Sequence, residues 1–174
     1  MSSLNELGLA RPLDRHRFEA QLGARLALAE HQQRRFGIVL VAADSLAWIN
    51  RRWGRSAGDS VLRKLGRRLL SSLAMDDLFA RYEGNRFAIV RWASSVDRAV
   101  AFAQHLAGRV ANTPFDIPDS NDAAFLTASM GVALGEAGVQ PPALIAAVEQ
   151  ALRRAKDAGG NRVCSPSPPG RGLG

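Results

Sequence analysis

The chain is short of several things that would each open a class of function. It has one cysteine, Cys164. No disulfide can form within it and no metal cluster can be built from thiolates, so a reducing, cytoplasmic setting is expected. No run of about 18 apolar residues occurs, so no membrane-spanning helix is expected. The stretch from Met1 to Arg15 lacks the apolar centre of a signal peptide. The three histidines, His16, His31 and His105, lie on separate segments without ligand spacing. There is no P-loop and no nucleophile elbow. Carboxylates are outnumbered: 16 Asp and Glu stand against 23 Lys and Arg, a formal charge of +7. Such an excess suits a polyanionic partner. The basic residues are nevertheless spread along helical segments without a long run, as on a solvated surface.

What is present is a globular composition, 174 residues of which 47% are hydrophobic, enough for one domain with a core. Leu13 to Gln33 is expected to be helical, with Phe18, Leu22, Leu26 and Ala29 on one face and Asp14 as cap. Phe36 to Ala43 is a continuous apolar run, the pattern of a central strand buried on both faces. Asp44 or Ser45 can cap the helix that follows, and Gly54 to Gly58 has the composition of a loop. From Asp59, the positions of Val61, Leu62, Leu65 and Leu69 make an amphipathic helix with Arg63, Lys64, Arg67 and Arg68 outward. Asp77 to Arg91 alternates on both sides of Glu83-Gly84-Asn85, which predicts a β-hairpin.

Ser95 opens a further helix with Val96, Val100, Ala103, Leu106 and Val110 inward. Thr113 to Asp122 is expected to be a loop and Phe125 to Leu134 a strand. Pro142 can take the first turn of a last helix that Gly159 and Gly160 stop. Val163 can end a short edge strand. The order implies an α/β fold of the α+β type: a ferredoxin-like βαββαβ core with added helices. The Pro/Gly/Ser-rich tail, residues 165–174, is expected to be disordered. RNA-recognition domains share this plan, but the strands here lack the aromatic set that stacks on bases, so a nucleic acid is not the expected partner.

Arg81-Tyr82-x-Gly-x-x-Phe87 resembles the signature hairpin of the GGDEF domain, the bacterial diguanylate cyclase fold. LDRHRF at Leu13, IVLVAADSLAWIN at Ile38, AGDSVLRKLGRRL at Ala57, LTASMGVAL at Leu126 and ALRRAKDAGGNRV at Ala151 follow the family's order. The resemblance runs from about Leu9 to Val163. It implies a lead-in over residues 1–8, a degenerate GGDEF domain with a nucleotidyl-cyclase-like fold over 9–164, and the tail. Because the chain begins almost at the domain's first helix, no fused sensor is expected.

The resemblance implies a site for condensing two GTP molecules into cyclic di-GMP. Two domains face each other there, and magnesium is held by carboxylates. The family's metal-ligating Asp falls on Ala42, and the signature Gly-Gly-Asp-Glu-Phe on Glu83, Gly84, Asn85, Arg86 and Phe87. A methyl group cannot ligate, and a guanidinium repels a cation. No cofactor is therefore expected; magnesium enters only if a rearranged site recruits Asp44 and Glu83. Asn50 and Asp59 match the residues that read guanine, with structural retention of the pair, and helix capping for Asp59, as the alternative. Lys156 matches a phosphate-contacting lysine, or is an exposed helix lysine, and a second basic position falls on Gly160. Arg86 is either a phosphate contact or a solvated residue paired with Glu83. The inhibitory RxxD motif is reduced to Ala74 and Asp77, so no allosteric site is expected. The implied function is an inactive signalling or protein-interaction module, with another cyclic di-GMP signalling protein or a GGDEF homodimer or heterodimer as partner and GTP or GDP as candidate ligand. An active cyclase and a basic nucleic-acid binder are the alternatives.

Overall fold

In the computed structural model, residues 12–166 are described. The expected lead-in and residues 167–174 of the expected tail lie outside them. The fold is organised about β1 (Phe36–Ala43), in which all eight residues are buried. An eight-residue apolar run can be satisfied only where both faces and both edges are covered. Antiparallel β3 (Arg86–Trp92) and β6 (Ala128–Gly135) flank it, giving the sheet order β2-β3-β1-β6-β7 with β2 at Leu78–Glu83 and β7 at Val163–Cys164. The pair β6–β7 is parallel. The first four of these strands have the ferredoxin-like order.

One face carries Val39, Val41, Phe87 and Ile89 against α3 (Arg55–Leu70) and α4 (Val96–Ala111). The other carries Ile38, Leu40, Ala42 and Val90 against α1 (Arg15–Gln32) and α5 (Pro141–Asp157). These last two are the added helices. Phe18, Leu22, Leu26 and Ala29 are the buried face of α1, and the Asp14 carboxylate accepts from the Arg17 amide at its N-terminus. Phe79 and Phe87 stack across the hairpin with ring centroids 5.6 Å apart. Among the described residues no helix is long and apolar enough to cross a membrane.

Several local expectations are corrected. The Gly54 to Gly58 stretch is not a loop: Gly54 alone makes the junction at φ 88°, where glycine pays no steric penalty, and α3 begins at Arg55. Asp59 therefore lies inside α3 and caps nothing. The helix α2 (Leu46–Trp53) has Ser45 at its N-cap in the left-handed region, with no side-chain cap bond, so neither Asp44 nor Ser45 caps it by side chain. Lys64 and Arg68 are not merely solvated. Lys64 Nζ donates to the Asp116 carbonyl at 2.6 Å, and Arg68 donates to the carbonyls of Thr113 (2.6 Å) and Pro114 (3.0 Å) while lying on the Phe115 ring. Together they pin the connection after α4. That connection is not wholly irregular, because β4 (Phe115–Asp116) pairs with β5 (Ala123–Ala124). The expected strand from Phe125 starts later, with Phe125 left exposed just after β5 and β6 beginning at Ala128.

Helix α5 packs so closely on β6 that a Cβ at Gly131 would meet the main chain of Val148 and Leu152. Backbone cannot retreat as a flexible side chain can. Gly131→Ala is expected to lower stability by about 3 kcal/mol, the upper end for overpacking, read from urea denaturation.

Candidate functional site

Side chains with candidate chemistry gather where β1 ends. Ala42 is the register partner of Arg86 on β3 and of Ser129 on β6. The two-residue turn Gly84-Asn85 closes the hairpin beside it, with Gly84 at φ 53°. The Asn85 amide nitrogen points at the Ala43 carbonyl from 3.5 Å, the outer limit of a hydrogen bond. Arg86 is half-buried and makes no ion pair with any described residue.

Asp44 is the best-satisfied carboxylate of the region. Thr127 Oγ1 and Ser129 Oγ each donate to it at 2.7 Å, and the Asn161 amide donates at 3.0 Å. One side chain thus ties the end of β1 to β6 and to the loop after α5. Gly160 lies against it: a Cβ there would stand 3.3 Å from Asp44 Oδ1 and from Ser129 Oγ. The Gly160 amide bonds the Ala155 carbonyl, which sets Lys156, exposed on the last turn of α5, at the same end of the sheet.

Asn50 and Asp59 approach from α2 and α3. The Asn50 side-chain oxygen is enclosed against Gly58, where any Cβ would collide with it, and has no partner among the described residues. Asp59 stands near Arg81. Burial pushes the Arg81 pKa down, the charge of Asp59 works against that, and Arg63 adds to it. Arg81 Nε donates to the Gly84 carbonyl at 3.0 Å and its guanidinium lies over the Phe87 ring. This arginine therefore ties β2 to the hairpin turn, within the field of the Asp59 charge.

Glu83 is not part of the group. Its carboxylate turns to Arg15 on α1 at 3.2 Å, and Arg15 also bonds Glu19 and lies over Tyr82. The expected Arg86–Glu83 pair is thus replaced by Arg15–Glu83. Asp77 lies at the far end of the hairpin. Its Oδ2 accepts from Arg91 at 2.6 and 2.9 Å and from the Ala74 amide at 2.8 Å, with the side chain 2% exposed. A guanidinium does reach Asp77, from β3 and not from position 74.

The chain matches the family model described as "Diguanylate cyclase, GGDEF domain" over residues 9–162. The chain belongs to the GGDEF family. Over 126 residues it is 30% identical to diguanylate cyclase DosC of Escherichia coli, covering 72% of this chain and 27% of DosC. The chain spans from about a quarter to little more than a third of the curated relatives it matches first. In fold it is similar to the GGDEF domain of DgcB from Caulobacter crescentus in complex with c-di-GMP, with TM-score 0.82 at 23% identity, over 90% of this chain and 91% of that one. It is likewise similar to the diguanylate cyclase SiaD in complex with its activator SiaC from Pseudomonas aeruginosa, with TM-score 0.79 at 22% identity, over 91% and 60%.

The magnesium that this GGDEF membership implies does not fit the residues present. Ala42 offers no ligand, Arg86 repels a cation, Asp44 spends its lone pairs on three donors and Glu83 is held by α1. Among the described residues no group of three His, Cys, Asp or Glu side chains converges. Sequence reasoning missed Arg81 as a site residue and missed the Thr127–Ser129 pair that holds Asp44. The signal for the pair was there, since hydroxyls at i and i+2 on a strand share one face.

Asp44→Ala is expected to cost about 3 kcal/mol, because charge-assisted bonds to three segments are lost together. Chemical denaturation measures it. Asp77→Ala, which strips a half-buried Arg91 of its partner, is expected to cost a similar amount, about 3 kcal/mol.

Proposed function

We propose that this GGDEF domain is catalytically silent and serves cyclic di-GMP signalling as an interaction module, its old substrate pocket reduced to a guanine-nucleotide site that needs no metal. The observation that carries the reading is the facing pair Ala42 and Arg86. At the two adjacent positions where the family places metal-binding carboxylates, one residue has no ligand atom and the other is a cation. A phosphate can sit beside a fixed guanidinium without magnesium to mediate, since a guanidinium itself supplies charge and forked donors. Lys156 at the same end of the sheet adds a second positive charge, and Asn50 and Asp59 stand where the base is read. The rearranged-cyclase alternative requires Asp44 and Glu83 as ligands, and both are engaged elsewhere.

Contact with a protein partner fits the same reading. SiaD, whose chain includes a domain of the same fold, is in complex with its activator SiaC.

Two measurements test the proposal. With GTP and magnesium or manganese, the pure protein is expected to form no cyclic di-GMP, because losing two electrostatic stabilisers, each worth roughly 3 kcal/mol of barrier, leaves the triphosphate without its clamp. Product formation that disappears in Glu83→Gln overturns the silent reading. In calorimetry, GTP or GDP binding is expected to survive EDTA, weaken as salt rises, and fall in Arg86→Glu. If neither nucleotide binds at millimolar concentration with or without magnesium, the pocket is empty and the function lies on the outer surface.

A further inference from the structure

The far end of β1 holds a second concentration of positive charge that the nucleotide pocket does not use. A cleft of about 690 Å³ opens between the turn after α1, the end of β3 and the first turns of α4. Its lining includes Arg34, Arg35, Arg91 and Arg98, and no Asp or Glu. Since β1 rises about 3.3 Å per residue, this cleft and the hairpin pocket stand roughly 20 Å apart.

Three of the four guanidiniums are held in place, and not all are neutralised. Arg91 is fixed by Asp77 and lies over the Phe102 ring at 3.9 Å. Arg35 pairs with Glu136 at 2.9 Å. Arg34 lies over the Trp92 ring at 4.1 Å, and among the described residues its only side-chain hydrogen-bond partner is the uncharged Gln32. Arg98 has no side-chain partner among the described residues. Arg34 and Arg98 are therefore cations without a carboxylate. A guanidinium held over a ring face keeps N–H donors that the ring does not use, and these can take an anion's oxygens.

Beneath the arginines the floor is apolar. Val39, Ala93, Ala99 and Phe102 line it. Gly37 lets α4 approach β1 closely, since a Cβ there would collide with Ala99. A cleft with cations at the rim and a small-residue floor fits a ligand with an anionic head and a flat or apolar body. Its volume lies in the range that encloses a small organic molecule.

We propose that this cleft is a binding site for an organic phosphate, a phosphate group on a flat or apolar body of up to mononucleotide size. Arg34 and Arg98 take the phosphate, Arg91 stands as an oriented third donor, and the partly exposed Ala93 and Phe102 take the body. No metal takes part. The site is independent of the Arg86 pocket and stands or falls separately from it.

The test is a titration of the full chain with phenyl phosphate and with inorganic phosphate, followed at the Trp92 indole and the backbone amides by NMR. Phenyl phosphate is expected to shift Trp92 and Arg98, to bind several-fold more tightly than inorganic phosphate because of the floor, and to weaken with salt. In the double variant Arg34→Glu, Arg98→Glu binding is expected to fall by at least about tenfold. The milder Arg34→Gln, Arg98→Gln, checked for an unchanged melting curve, should show a smaller loss in the same direction. Arg86→Glu should leave it unchanged, which separates this site from the hairpin pocket. A nucleoside monophosphate and a phosphoserine peptide then distinguish a free metabolite from a modified protein segment, whichever binds more tightly naming the source. Absence of any shift at Trp92 with millimolar phenyl phosphate overturns the proposal. So does binding that is unaltered in the double variant or abolished in Arg86→Glu.

Discussion

Everything in this domain is arranged to keep β1 dry. Eight consecutive residues without a charge, buried on both faces and paired along both edges, require β3 on one side, β6 on the other, and two helices above and two below. At about 25 cal/mol per Å² of apolar surface, no surface interaction in the molecule competes with that burial. Polar chemistry collects just beyond the two ends of the strand: the hairpin turn and Asp44 at one, the arginine cleft at the other.

At the hairpin end the surviving acids have become structural. Asp44 holds three segments together, and Glu83 belongs to the first helix. The cations, by contrast, are left with free donors: Arg86 has no carboxylate partner among the described residues, nor has Lys156. A site that once balanced phosphate with bound metal now balances it, on this reading, with side chains alone. The two arrangements differ physically, because a bound divalent ion can leave while a guanidinium cannot.

Much of the fold was legible because its signals are periodic or locally forced. The run from Phe36 to Ala43 is a strand with the bounds its hydrophobicity sets. The buried stripe of α1 is the one its three- and four-residue spacing predicts, and the Gly84 turn follows from alternation on either side. The misreadings share a different cause. Asp44 and Asp59 looked like caps because capping is the commonest local use of an aspartate near a helix start. Asp59 lies inside a helix that starts four residues earlier than expected, and the actual partners of Asp44, Thr127 and Ser129, are distant in sequence and come close only once the sheet is assembled. Glu83 with Arg15, and Asp77 with Arg91, are the same case. Family correspondence located Ala42, Asn85, Arg86 and Lys156 at one end of the sheet, but it said nothing of Arg81 as a link or of the arginines at the opposite end.

Leu13, just before α1, makes a one-residue parallel bridge to Ala80. Its amide donates to the Phe79 carbonyl and its carbonyl accepts from the Arg81 amide, both at 2.9 Å. Those are outward-facing groups of β2, the outermost strand of the sheet. An uncovered edge strand offers a template on which another chain can continue the ladder. Here the middle of that template is already taken by the chain's own lead into its first helix, and at the opposite border β7 is two residues long. Among the described residues, β2 therefore offers no uninterrupted edge to an intermolecular ladder. Another molecule that engages this domain on that side must meet side chains, and cannot recruit it by extending the sheet from β2 without displacing Leu13.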